Sequence, residues 1–219
     1  MTMPTFSFLV PTHRENRPLE RCLDSIAWQL GAGDEVIVIG DTADGPLPGV
    51  EALVRDYDRR YPAGVARFRY LAHDAGHHCW GHCQLNVGLT QARGEWLHVN
   101  DDDDVWVPNA LPMLREAADG ANGRPMLFRF MSYVGLPFWV EQGRFERNWI
   151  GGHCLVAPNV PGKVGCWGEE YSGDFDYLES TINLHGGIEH AIWRSDIICV
   201  ARPSPAAMVG LGPAMAAMP

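Results

Sequence analysis

Apolar residues recur along this chain in two rhythms. Short β-branched or aromatic runs stand at Phe6-Ser7-Phe8-Leu9-Val10, Val36-Ile37-Val38-Ile39, Arg67-Phe68-Arg69-Tyr70-Leu71 and Trp96-Leu97-His98-Val99. They are bounded mostly by Pro, Gly or acidic residues, and each predicts a strand. Between them the spacing turns helical. Leu19, Cys22, Leu23, Ile26, Ala27 and Leu30 share one face of a helix over residues 19–30, stopped at Gly31. Further helices are predicted over 50–61, over 109–118, and ending at 87–92. This alternation of strand and helix predicts an α/β fold, with a mostly parallel, doubly wound sheet carrying helices on both faces. The second half of the chain predicts strands over 126–131, 153–157 and 196–201, and a helix over 177–184. No internal repeat or linker divides it. A single domain over 1–202 is expected, in two halves, 1–120 and 121–202, followed by a low-complexity Ala/Pro/Gly/Met tail over 203–219.

In a parallel sheet the carboxyl ends of the strands share one edge, where open α/β sheets bind ligands. Three such ends carry polar chemistry here: Pro11-Thr12-His13, Asp41 to Asp44, and Asp101-Asp102-Asp103-Asp104. Four consecutive carboxylates repel one another, and burying them without a counter-charge is costly. A divalent cation with a phosphate ligand resolves the conflict, and oxygen donors suit Mg²⁺ or Mn²⁺. The plainer alternative is a solvated acidic loop; its place just past an apolar run favours the metal.

A net charge of −10 argues against general nucleic-acid binding. No apolar run reaches the roughly 20 residues of a membrane span, and the first residues lack the pattern of a signal peptide. The six cysteines are scattered in a chain too large to need staples. Reduced thiols and a cytoplasmic location follow as expectations.

The pieces FLVPTHREN, CLDSIAWQL, DEVIVIGDTADG, NVGLTQARGEWLHVNDDDDVWVPNAL and GDFDYL stand in an order that resembles the family 2 glycosyltransferases of the GT-A fold. The resemblance reaches from the first strand to about residue 178. It implies transfer of a sugar from a nucleotide-diphosphate donor, commonly a UDP-sugar, to a hydroxyl acceptor on a glycan, lipid or protein, with inversion and with Mn²⁺ or Mg²⁺. It places Pro11, Thr12, His13 and Asp41 at the nucleotide, with His13 where an aromatic is usual. Gln84, Asn86, Asp101 and Asp102 join the donor site. Within the DXD-like block Asp103 is the first choice for the metal and Asp101 the second, with His190 as a late histidine ligand. Asp174 falls at the catalytic base, with Asp176 as its alternative; Gly173 stands where a Glu is common. The plain readings remain beside these: His13 as a loop histidine, Asp41 as a turn former, Asp174 as a helix cap.

The cluster His77, His78, Cys79, His82 and Cys83 invites a zinc reading but lacks a second pair of ligands; a wall of the donor site, with Trp80 and Gln84 facing the ligand, is the alternative. Trp139, Trp149 and Trp167 are either a sugar platform or core. Two rival functions are a nucleotidyltransferase, disfavoured because the loop after the first strand has no Gly, and a non-catalytic nucleotide-sugar or glycan-binding protein.

Overall fold

The structure is a computed structural model that describes residues 3–15, 17–61, 66–74, 79–133, 135–139 and 141–203. His77, His78 and the tail from 204 onward lie outside the described residues.

The first half alternates as its pattern predicts: β1 (Phe6–Thr12), α1 (Arg17–Ala27), β2 (Asp34–Asp41), α2 (Pro48–Arg60), β3 (Ala66–His73), α3 (His82–Gln91) and β4 (Trp96–Val99). A short β5 (Val105–Trp106) precedes α4 (Ala110–Ala121). The second half holds β6 (Met126–Met131), β7 (Pro137–Phe138), β8 (Leu155–Pro158), α5 (Gly173–Leu184) and β9 (Ile192–Val200).

These strands form one sheet in the order β3-β2-β1-β4-β8-β6-β9-β5, with β7 paired to β6. From β3 to β4 every pairing is parallel. Beyond β4 the sheet is mixed: β8 runs antiparallel to both β4 and β6, β9 is parallel to β6, and β5 is antiparallel to β9.

Alternation along the strands divides the core between two faces. On β1, Phe6, Phe8 and Val10 point to the face covered by α1, α2 and α4. Leu9 points to the other, where Ile37, Ile39, Leu97 and Val99 meet α3 and α5 through Leu85, Phe175 and Leu178. Both faces of the central strands are covered, so β1 and β2 are buried nearly throughout. Such a double layer needs continuous apolar strands rather than alternating ones.

The far end of the sheet is fixed by buried polar groups. Asp34 accepts the Phe6 N–H at 3.0 Å and the Gly31 N–H at 2.8 Å, and pairs with Arg115. It ties β1, the turn before β2, and α4 together. Gly94 belongs to the same end: a Cβ there would sit 2.5 Å from the Phe6 carbonyl carbon, so only glycine lets the chain enter β4 beside β1.

Candidate functional site

The carboxyl ends of β1 and β2, the start of α3 and the acidic turn after β4 enclose a cleft of about 520 Å³. Pro11, Thr12, His13, Asp41, Gln84, Asp101, Asp102 and Asp103 all line it, with Arg14, Asp44, Cys79, Trp80, Gly81 and Arg202. Most of the donor residues named from the sequence therefore come together. Asp41 keeps a turn-forming bond as well, accepting the Ala43 N–H at 2.9 Å.

Asn86 goes elsewhere. Its amide donates to the Trp167 carbonyl at 3.0 Å, and its carbonyl accepts the Trp167 N–H at 2.8 Å. This paired bond clips α3 to the segment that leads into α5. His82 adds a second clip, with Nδ1 at 2.7 Å from the Gly168 carbonyl and its ring against Trp167. Cys79 donates to Gln84 Oε1 at 3.4 Å. His82 and Cys79 thus have partners of their own, and among the described residues neither belongs to a group placed to share a metal.

The acidic turn resolves its own repulsion by sending its carboxylates to different partners. Buried Asn100 fixes the turn's start, donating to the Asp101 carbonyl at 2.9 Å and accepting the Trp106 indole N–H at 2.8 Å. The Asp104 N–H closes back on the Asp101 carbonyl at 3.2 Å. Asp102 accepts from the Thr12 hydroxyl at 2.5 Å. Asp103 faces Arg202 at 3.1 Å. Asp101 and the buried Asp104 both face His153, whose Nε2 lies 3.1 Å from Asp101 Oδ2 and 3.8 Å from Asp104 Oδ2.

His153 arrives there by strand register. On the β4–β8 ladder Trp96 faces Pro158, Leu97 faces Ala157 and His98 faces Val156. Continued past the ladder's end, the same register sets Asp101 across from His153, in the short 3-10 turn Gly152–Cys154 that precedes β8. Because β8 runs against β4, its first residues stand at the edge where β4 ends.

Asp101, Asp104 and His153 offer ligand atoms that lie within 4.8 Å of one another. Burial alone would push the His153 pKa down, but Asp101 and Asp104 more than offset it and hold it up at about 10. Burial lifts Asp104 to about 7 against the pull of His153. Asp101 lies below the usual carboxylate range; burial opposes that shift, and His153 drives it. Two carboxylates and an imidazole nitrogen form a donor set that fits Mn²⁺, and the histidine in this group is His153 rather than His190. His190 is exposed and sits 3.9 Å from Glu189. Asp104, not among the metal choices read from sequence, joins this group, whereas Asp103, the first choice there, is turned to Arg202.

Asp174 lies in the first turn of α5 and accepts the Gly152 N–H at 3.4 Å and the Phe175 N–H at 2.8 Å. It is thereby next to the residue that precedes His153. The formal N-cap is Ser172, which makes no side-chain cap bond, and Asp174 within the first turn takes up the Phe175 N–H in its stead. Asp176, its alternative, is engaged by Arg147 at 2.5 Å on the exposed side of α5. Gly173 is required where it stands: a Cβ would meet the Gly168 carbonyl oxygen at 2.1 Å. Of the three tryptophans, Trp139 and Trp167 are buried in the core, whereas Trp149 is part-exposed beneath Arg144.

No helix among the described residues is long and apolar enough to cross a membrane. The chain is 32% identical over 118 residues to the GalNAc(5)-diNAcBac-PP-undecaprenol beta-1,3-glucosyltransferase of Campylobacter jejuni, a match covering 53% of this chain and 35% of that protein. It spans about a third of the length of the curated relatives it matches. In solved structures the fold resembles S. aureus TarS in complex with UDP-GlcNAc, with a TM-score of 0.69 and 17% identity over 90% of this chain and 58% of that one. It also resembles the mannosyltransferase PcManGT of Pyrobaculum calidifontis in complex with GDP-Man and Mn2+, with a TM-score of 0.62 and 18% identity over 95% of this chain and 60% of that one. The profile of glycosyl transferase family 2 matches residues 7–150; with the sheet order and the cleft at its edge, the chain belongs to that family and has its GT-A fold.

Proposed function

We propose that this chain transfers a sugar from a nucleoside diphosphate donor to a hydroxyl acceptor, in one displacement that inverts the anomeric carbon. The observation that carries this reading is the meeting of three things at one sheet edge. They are the cleft lined by Pro11, Thr12, His13, Asp41 and Gln84, the group Asp101, Asp104 and His153, and Asp174 one hydrogen bond away at Gly152. The residues before 120 supply the nucleotide wall, and those from 121 to 202 supply His153 and Asp174. Bound UDP-GlcNAc in TarS, and GDP-Man with Mn2+ in PcManGT, support a nucleotide-sugar ligand for this edge; UDP-sugars are the first donors to try.

The division of labour follows from chemistry. Asp41 offers acceptor oxygens to the N–H groups of a base, and His13, exposed at the rim, offers a flat face. A divalent ion held by Asp101, Asp104 and His153 would neutralise the charge gathering on the departing diphosphate; Mn²⁺ suits the imidazole better than Mg²⁺. Asp174 accepts the proton of the acceptor hydroxyl as its oxygen attacks the anomeric carbon, and the bond to the diphosphate oxygen breaks. Asp176 is occupied by Arg147 and serves less well.

The test is hydrolysis and transfer from a panel of nucleotide sugars with Mn²⁺, for wild type and Asp174→Asn. Turnover lost in the variant with donor binding kept supports the assignment. Donor binding without turnover in either protein would instead make this a non-catalytic nucleotide-sugar binder.

A further inference from the structure

The donor cleft has an electrostatic imbalance. Five aspartates line it, Asp41, Asp44, Asp101, Asp102 and Asp103, against two arginines, Arg14 and Arg202. A diphosphate entering this space adds more negative charge. A divalent ion held by Asp101, Asp104 and His153 would offset part of it, and a second cation close to the acidic turn would lower the cost further.

Arg202 is built to be that cation. It follows the end of β9, and its backbone N–H donates to the buried Asp104 Oδ1 at 3.0 Å. Its φ of 44° lies in the left-handed region, which non-glycine residues seldom adopt, and the bond to Asp104 holds the backbone at this bend. The side chain is 65% exposed at the cleft wall, with Nε 3.1 Å from Asp103 Oδ2. The base of the arm is thus pinned to a buried carboxylate, while its guanidinium, largely exposed, pairs with the part-buried Asp103 on the cleft wall. That contact to Asp103 is made through Nε, whereas a guanidinium meets phosphate oxygens through two parallel N–H bonds.

We propose that Arg202 is a donor-binding residue: its guanidinium leaves Asp103 to hold the diphosphate of the nucleotide sugar. Asp103 is then the resting partner of Arg202 rather than a ligand of the metal group. As the glycosidic bond breaks, the guanidinium lies beside the oxygens on which charge accumulates, where fixed positive charge is most effective. This rests on the nucleotide-sugar reading of the cleft.

Isothermal titration of UDP, GDP, CDP, dTDP and ADP, each beside its nucleoside, separates the possibilities. Wild type and Arg202→Gln are titrated with Mn²⁺ and again with EDTA, and their unfolding midpoints are compared. The expected result is a loss of at least about tenfold in affinity for the preferred nucleoside diphosphate. The nucleoside's affinity and the unfolding midpoint stay unchanged, the loss persists in EDTA, and Arg202→Lys recovers part of it. Equal diphosphate affinity in Arg202→Gln overturns the proposal while leaving the nucleotide-sugar reading intact. Equal weakening of nucleoside and diphosphate also overturns it, by assigning Arg202 a structural role. Absence of binding of every diphosphate by wild type overturns both readings.

Discussion

His153 Nε2 lies 3.1 Å from Asp101 Oδ2, although the two residues belong to different halves of the chain. Replacing His153 by Ala should lower Mn²⁺ affinity at least about tenfold, the scale on which even outer-shell changes act at metal sites. His190→Ala should leave it unchanged, since His190 is exposed beside Glu189. Titration of Mn²⁺ followed by water-proton relaxation checks both. Equal effects of the two variants would remove His153 from the metal group.

The same pair predicts how metal uptake depends on pH. His153 is held up at about 10, so it carries a proton at neutral pH and must lose it to ligate an ion. Uptake should therefore release about one proton between pH 7 and 9, and affinity should rise with pH over that range. Asp104, at about 7, adds a fraction of a proton near neutrality that fades as pH rises toward 9. Proton release measured by calorimetry in buffers of different ionisation enthalpy tests this.

Asp174 and Asp176 stand two residues apart on α5 but in unlike surroundings. Asp174→Asn should reduce turnover by about 10²- to 10⁴-fold, the usual range for a positioned base, with nucleotide affinity kept. Asp176→Asn frees Arg147 at the surface and should cost less than about tenfold. A larger loss in Asp176→Asn than in Asp174→Asn would reverse the assignment.

His98 makes a prediction about stability rather than activity. It is fully buried between Phe8 and Trp106, and burial lowers its pKa to about 3. The folded state therefore holds the neutral ring, and the unfolded chain takes up a proton near pH 6.5. Stability from this residue is complete above about pH 6.5 and falls as pH drops toward 3, by up to ~1.4 kcal/mol per pH unit. Urea unfolding at pH 4.5 and pH 7.5 should show a smaller difference in His98→Phe than in wild type.

Asp34 carries three partners while fully buried. Asp34→Ala leaves two backbone donors and Arg115 without their acceptor, and should cost about 3 kcal/mol or more. Denaturant midpoints at neutral pH measure it.

The sequence made the first half of the fold legible because its strands are buried on both faces. Val36 to Ile39 is a continuous apolar run and Phe6 to Val10 is broken only by Ser7; their polar neighbours mark the sheet edge, and Pro11 to His13, Asp41 and the acidic block duly gather there. The second half was harder to read. Whether β8 runs with β4 or against it leaves no trace in the pattern of Leu155 to Ala157, yet that direction is what carries His153 to Asp101. His190 offered the same side chain late in the chain, and nothing local distinguished the two. Arg202 was hidden for a related reason: its meaning lies in the bond from its backbone to Asp104, which no local spacing encodes. Asn86 was placed in the donor site by its position in a motif, but its amide makes a paired bond with the Trp167 backbone.

The ladder between β4 and β8 also bears on how such a chain can change over time. The facing of Asp101 and His153 depends on a count of residues along two short strands, not on what joins them. Of the chain between the acidic turn and Gly152, β5, α4 and β6 are core elements, whereas the stretch from 141 to 149 is largely exposed and can alter its surface without disturbing that facing. A single residue gained or lost between His98 and Asp101, or between His153 and Val156, has the opposite effect. It turns the side chains beyond it to the other side of the sheet, so it parts the imidazole from Asp101 and displaces buried Val99 or Leu155 in the same step.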